Sequence, residues 1–219
     1  MGVSVLRICS FNCCSLRKNI DLVRQLADCC NDIIFLQETF VIEDKLGILD
    51  FIDENYECVG VAATYSEKSL ISNEGRPEGG MAILWKKNCG FKVKNIILKD
   101  NFIIFSIRIC NFDILFVNIY MNSDIWKVCT LNKYLYNLSV LEDILSDMEY
   151  DSAYFIGDFN ADPHSGRAWH NLSDFMGRNS LKCFDVESLG PDTCTFVCYG
   201  WTILLVEVRM FPKLLILLF

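Results

Sequence analysis

Residues Ala153–Pro163 read AYFIGDFNADP. The apolar run Ala153-Tyr154-Phe155-Ile156 stops at Gly157, Asp158 and Asn160 follow one residue apart, and Asp162-Pro163 closes the stretch. A short apolar run bounded by Gly and a Pro-containing turn reads as a buried strand. A carboxylate and an amide then leave its end. Asp and Asn are ordinary turn residues, so one such end decides nothing. What decides it is whether other strands of the chain end in the same way.

Three do. Asn12 follows RICSF, Glu38 follows IIFLQ, and Asn118 and Tyr120 end ILFVNIY. Strand ends on one rim of a sheet converge in space. Taken singly, each keeps a plain reading: Asn12 as a turn residue, Glu38 as a solvated loop acid, and Tyr120 as a sheet residue with its hydroxyl at the surface. His164 reads as turn chemistry and His170 as a surface or helix-end residue.

Between these ends the pattern is β-α-β, then a block of strands, then α-β. Val3 to Phe11 is β-rich, and Ile20, Val23, Leu26, Ala27 and Cys30 fall at helical spacing. DIIFLQETF is a second strand, and Tyr56 to Val61 a third. A polar loop runs from Thr64 to Glu78, and GGMAILWKK is a strand opened by Gly79-Gly80. Phe91 to Leu98, Phe102 to Cys110 and Phe112 to Tyr120 follow in quick succession, as hairpins do. A helix is expected with Leu131, Leu135, Leu138, Leu145 and Met148 on one stripe. After the strand at 153–157 come a short helix near Arg167 to Met176 and strands near Leu181 to Val186 and Thr195 to Val197. The middle block lacks crossover helices, so a purely parallel doubly wound sheet is disfavoured. Two sheets packed face to face, with helices outside, satisfy both halves of the pattern.

The composition agrees with one globular unit. The chain has 219 residues, 52% of them hydrophobic, enough to bury a full core. Its net charge of −8 argues against a protein that coats nucleic acid by phosphate neutralisation. The twelve cysteines include no C-x-x-C pair, which disfavours a zinc ribbon, and they read as small buried thiols in a reducing compartment. The N-terminus has no secretory h-region, so an intracellular location, nuclear or cytoplasmic, is expected. The tail WTILLVEVRMFPKLLILLF is strongly apolar but short and interrupted for a membrane span, and no membrane association is expected. Within it, Val206 to Met210 alternates as a half-buried strand does.

The chemistry these groups suit is metal-assisted attack on phosphate. A hard cation such as Mg²⁺ prefers carboxylate oxygen, a second carboxylate orients or deprotonates water, and amides and a phenol donate to non-bridging oxygens. No P-loop and no G-x-S-x-G elbow is present.

The motifs SFN, LQET, GGMAILWK, VNIY and above all GDFNADP resemble the endonuclease/exonuclease/phosphatase family. The nearest likeness is to the apurinic-type endonuclease domains of non-LTR, LINE-like retrotransposons, over about Arg7 to Val197. The resemblance implies a four-layer α/β sandwich of the DNase I type, with two central mixed sheets and outer helices. It also implies phosphodiester hydrolysis of DNA with Mg²⁺ or Mn²⁺. It places Glu38 as metal ligand with Asn12 beside it. Asp158, Asn160 and Tyr120 become catalytic groups, and Asn118 and Thr195 phosphate-binding ones. Such domains are normally fused to a reverse transcriptase, which this chain does not contain.

The resemblance breaks off late. The family continues with a further Asp and a terminal Ser-Asp-His, whereas residues 201–219 contain neither Asp nor His. The expectation is therefore an incomplete domain over 1–200 followed by an atypical apolar tail over 201–219, with impaired activity. Two other readings stand beside it. One is a non-catalytic remnant of the domain. The other is a phosphatase or phosphodiesterase of the same family acting on a small-molecule or lipid phosphate.

Overall fold

A computed structural model of the chain describes residues 6–29, 32–65, 75–121, 128–161, 167–183, 205–207 and 216–218. Two mixed sheets form its centre. The first contains β1 (Leu6–Asn12), β2 (Ile33–Gln37), β3 (Tyr56–Val61) and β4 (Met81–Lys86). The second contains β5 (Lys92–Lys99), β6 (Phe102–Ile109), β7 (Phe112–Tyr120), β8 (Ser152–Asp158) and β9 (Leu181–Cys183). Two short strands of the tail join them. β10 (Leu205–Glu207) lies antiparallel between β8 and β9, and β11 (Ile216–Leu218) runs parallel to β1. The strand orders are β11-β1-β2-β4-β3 and β5-β6-β7-β8-β10-β9.

Alternation along the strands builds the layers, because successive side chains of a strand point to opposite faces. On β2, Ile33 and Phe35 face inward and meet Phe105, Ile114 and Phe116 of the other sheet, with Phe35 and Phe116 rings 5.8 Å apart. Ile34 and Leu36 face outward, onto α1 (Leu16–Asp28) through Leu16, Val23 and Ala27. On β7, Leu115, Val117 and Ile119 face α2 (Val128–Ser146) and α3 (Arg167–Arg178). The order helix, sheet, sheet, helix is the four-layer sandwich expected from the sequence.

Two details differ from that expectation. The buried face of α2 is Tyr134, Leu138, Leu141 and Leu145, at i, i+4, i+7 and i+11. Leu135 is exposed, because the stripe is centred on an aromatic that counting leucines passes over. A nine-residue 3₁₀ stretch, Glu43–Phe51, precedes β3 and seats Leu49 in the α1-side core. The expected strand at Thr195 to Val197 lies outside the described residues. Of the nine described cysteines, Cys9, Cys13 and Cys183 are buried. Among the described residues no helix is long and apolar enough to cross a membrane.

One glycine decides how closely β7 and β8 approach. Gly157 has φ +132°, and a Cβ built there would lie 2.1 Å from the Ile119 carbonyl oxygen. Neither the backbone conformation nor the space admits a side chain. Gly157→Ala is expected to destabilise the fold by about 3 kcal/mol or more through strain and displacement of β7. Gly47→Ala, where nothing lies within 4 Å of the new atom, is the matched control. Urea unfolding of both variants checks this, and equal midpoints would contradict it.

Candidate active site

The C-terminal ends of β1, β2, β7 and β8 lie together at one edge of the inter-sheet space, and the site forms there. Parity explains its composition. Asn12 shares the inward face of β1 with Ile8, Tyr120 that of β7 with Phe116, and Asp158 that of β8 with Tyr154 and Ile156. Each polar side chain therefore follows an inward-facing apolar row by two or four residues. Register brings the rows level, since Tyr120 is the parallel partner of Asp158 and Asn12 that of Gln37.

Glu38 is brought in by a turn rather than by a strand. Continued extension of β2 would place it on the outward face with Ile34 and Leu36. Instead its φ is +50°, a left-handed conformation uncommon for Glu. Three backbone bonds hold the turn in place: Cys13 N–H to Gln37, Ser15 N–H to Glu38 and Leu16 N–H to Thr39, each 2.8–2.9 Å. The β1–α1 connection thus clamps the end of β2, and the Glu38 carboxylate turns toward Asn12.

The amide of Asn12 links two carboxylates. Its Nδ2 donates to Glu38 Oε1 at 3.2 Å and to Asp158 Oδ2 at 3.1 Å, while its Oδ1 accepts from the Cys14 N–H at 3.2 Å. Asp158 is only 3% exposed. Its other oxygen accepts the Asn160 N–H at 3.0 Å, and Asn160 Nδ2 donates to the Met121 carbonyl at 2.6 Å. Asn160 adopts φ +47°, which suits Asn better than most residues. Tyr120 reaches Glu38 with its phenol. Its backbone is fixed by Asn101, which accepts from the Tyr120 N–H and donates to the Tyr120 carbonyl.

Electrostatics follow from two acids close together, Asp158 buried and Glu38 half-buried. Burial, reinforced by the Glu38 charge, pushes the Asp158 carboxyl up to about 7, against the bonds from Asn160 and Asn12. Burial and the charges of Glu38 and Asp158 push the Tyr120 phenol far above its usual range, so it remains a proton donor.

Asn12, Glu38, Tyr120, Asp158 and Asn160 therefore meet at one place. Asn118 stands apart. It is completely buried and its amide is fully used: Oδ1 accepts from Gln37 Nε2 at 2.7 Å, and Nδ2 donates to the Leu36 and Ala82 carbonyls at 3.1 and 3.0 Å. That leaves it no donor for a phosphate, and it acts on the site by fixing Gln37, the neighbour of Glu38. Thr195, Asp162-Pro163 and His164 lie outside the described residues. His170 is on the surface of α3, beside Asp174. Sequence reading assigned no role to Gln37 or to Cys14, whose Sγ lies 3.5 Å from Glu38 Oε2. For Gln37 the signal was available, since it continues the inward row of Ile33 and Phe35.

The donor set fits a hard divalent cation. Glu38 and Asp158 bring carboxylate oxygens together in an opening where one carboxyl retains its proton near neutrality, which is the condition that bound positive charge relieves. Among the described residues no group of three or more His, Cys, Asp or Glu forms a closed metal cage. An anchoring carboxylate with open positions is what Mg²⁺ uses.

The proton on Asp158 also sets a pH dependence. The folded chain holds it up to about pH 7, and the ordinary carboxyl value is 3.8, so between those values the folded state binds more protons than the unfolded one. The stabilising contribution of Asp158 is full at the acid end of this window and is lost as pH rises through 7. Glu38→Gln removes the neighbouring charge and is expected to lower the Asp158 value, whereas Asn12→Ala removes a supporting bond and is expected to raise it. Carboxyl-carbon NMR titration of the metal-free chain measures both, and shifts in the same direction would contradict this electrostatic account.

Comparison with known proteins follows the geometry. Residues 9–178 match the endonuclease/exonuclease/phosphatase family. No curated protein matches the chain. Among solved structures, the Xenopus laevis APE2 catalytic domain superposes with TM-score 0.65 at 16% identity, covering 93% of this chain and 82% of that one. A Neisseria 3′ phosphatase bound to a product DNA hairpin gives TM-score 0.63 at 14% identity, with 94% and 87% covered. A Bacteroides thetaiotaomicron mannosyl-6-phosphatase gives 0.61 at 14%, with 95% and 86% covered. At these identities the likeness is one of fold, and two mixed sheets flanked by helices are common to all. With most of its length matched and its inward-facing acids and amides gathered at one sheet opening, the chain belongs to the endonuclease/exonuclease/phosphatase family.

Proposed function

We propose that the chain is a divalent-metal-dependent phosphodiesterase acting on DNA, of the retrotransposon endonuclease type, with turnover impaired by its altered C-terminal stretch. The observation that carries the reading is the Asn12 amide bridging Glu38 and Asp158 beside the Tyr120 phenol. It supports phosphoryl chemistry because it combines hard oxygen donors, a group for water and neutral hydrogen-bond donors in one opening. A DNA-bound phosphatase of the same fold adds support for DNA as substrate.

In this reading Glu38 would hold Mg²⁺ or Mn²⁺ with Asn12 beside it, and the cation when bound supplies charge neutralisation at the phosphate oxygens. The chain's own residues do the rest. Asp158, as a carboxylate, orients the attacking water and takes its proton. Asn160 gives one Nδ2–H to the Met121 carbonyl, which holds the amide in place and leaves its second N–H to steady the phosphate. Tyr120, fixed as a neutral phenol, has one O–H, directed at Glu38, and turns it to a non-bridging oxygen, where charge builds in the transition state. Asn118 sets the inter-sheet spacing and through Gln37 the position of Glu38.

Impairment rests on composition. Residues 201–219 supply no Asp and no His, so no imidazole from that stretch reaches the site. One lost acid–base group costs about 10²–10⁴-fold in rate. Nicking of supercoiled plasmid is therefore expected to need Mg²⁺ or Mn²⁺, to run about 10²–10⁴-fold below an intact family nuclease assayed in parallel, and to vanish in Glu38→Gln and Asp158→Asn. Metal-independent nicking, or nicking that survives Asp158→Asn, would rule the proposal out. Hydrolysis of inositol phosphates with plasmid left intact would favour the small-molecule reading instead.

A further inference from the structure

One cation is built into the rim of this acidic opening. Arg76 lies in the segment Gly75-Arg76-Pro77-Glu78-Gly79-Gly80, and its guanidinium carbon sits 4.6 Å from the centre of the Phe40 ring. Phe40 is only two residues beyond Glu38 and adopts φ +52°. The two segments are tied through the backbone. Thr39 N–H donates to Gly80 and Phe40 N–H to Gly79, both at 3.1 Å, and Thr64 and Glu78 exchange bonds of 3.1 and 2.8 Å. Glycines allow this approach: both have positive φ, and a Cβ on Gly80 would lie 2.5 Å from Thr39 Oγ1. Arg76 and Phe40 thus stand on one ledge fixed to the turn that carries Glu38. The guanidinium also opposes the upward push that burial and Glu38 exert on the thiol of Cys14, whose Sγ lies 3.5 Å from Glu38 Oε2.

A guanidinium stacked on a ring keeps its edge N–H groups available, and those match the oxygens of a phosphate. Stacking also leaves less side-chain freedom to lose on binding. The chain carries −8 overall, so it attracts a polyanion only where cations are placed locally. The scissile phosphate belongs at the carboxylates. A cation on the rim beyond Phe40 suits the next phosphate along a strand, which a phosphate monoester does not have. We infer that the Arg76–Phe40 ledge binds the phosphate flanking the scissile one, and that it selects a polynucleotide strand over a phosphate monoester. This rests on the nuclease reading above.

The test is equilibrium binding of a fluorescein-labelled DNA duplex to the full 219-residue chain, by anisotropy across a range of salt concentrations with Ca²⁺ in place of Mg²⁺. Each phosphate contact contributes about 0.9 to the slope of log K against log salt. Arg76→Gln is expected to reduce that slope by about 0.9 and to weaken binding roughly tenfold at low salt, alike for unrelated sequences. Phe40→Leu, which keeps the charge and loses the stack, is expected to weaken binding with little change in slope. Far-UV circular dichroism and thermal midpoints confirm that both variants are folded. Wild-type affinity and slope in Arg76→Gln would overturn the inference while leaving DNA as the substrate. No DNA binding by the unaltered chain would overturn the inference and the nuclease reading together.

Discussion

The 2.7 Å bond from Gln37 to Asn118 sets the geometry on which everything at the site depends. Two apolar sheets packed through Ile, Phe and Trp side chains attract each other strongly but without direction. A buried amide is different, because leaving it unpaired costs on the order of 1–3 kcal/mol. Asn118 spends its donors on the Leu36 and Ala82 carbonyls and its acceptor on Gln37, so it satisfies groups from two strands of the opposite sheet at once. Sliding one sheet over the other would break all three bonds. The clasp lies one residue from Glu38 and two from Tyr120, so the register it fixes is also the register of the reactive groups.

Around that clasp the backbone carries conformations that a stable core alone would not select. Glu38, Phe40, Cys14 and Asn160 all have positive φ, and Gly157 lies so near β7 that no side chain fits. Such residues cost about 1–3 kcal/mol each and persist only where the surroundings over-determine them. Here those surroundings are the backbone bonds from Cys13, Ser15 and Leu16, the Gly79–Gly80 turn and the β7–β8 ladder. The strain sits in the turns that carry the polar side chains, which turns a row of strand ends into a cluster.

Much of this was legible in sequence because strands have period two. Asn12, Tyr120 and Asp158 each extend an inward apolar row, and the strand–helix alternation with a helix-free middle block favoured two sheets over one parallel sheet. Asn118 shows the limit of such reading. As a polar residue near a strand end it reads as a phosphate ligand, yet one more step of the alternation puts it between the sheets, where its partners come from residues 36, 37 and 82 of the other sheet. Local sequence does not contain that pairing. The Arg76–Phe40 stack was illegible for the same reason, since 36 residues separate its members and a loop brings them together. The α2 stripe was misplaced for a simpler cause: Tyr134, with its hydroxyl bonded to the Phe159 carbonyl, is the core residue there, and an aromatic with a polar tip is easily passed over.

The acidity of the opening then has a consistent physical sense. Two carboxylates joined by one amide cannot both ionise cheaply in a buried place, so the metal-free chain keeps a proton on Asp158 up to about pH 7. That proton supplies the missing positive charge. Positive charge placed beside Glu38 lowers the Asp158 value and favours the carboxylate. Asp158 therefore passes from neutral acid to carboxylate, the form able to accept a proton from water, as pH rises through about 7. The environment that makes Asp158 costly to ionise also makes its carboxylate a stronger base than an ordinary one. That basicity comes from burial and the Glu38 charge, against the bonds from Asn160 and Asn12.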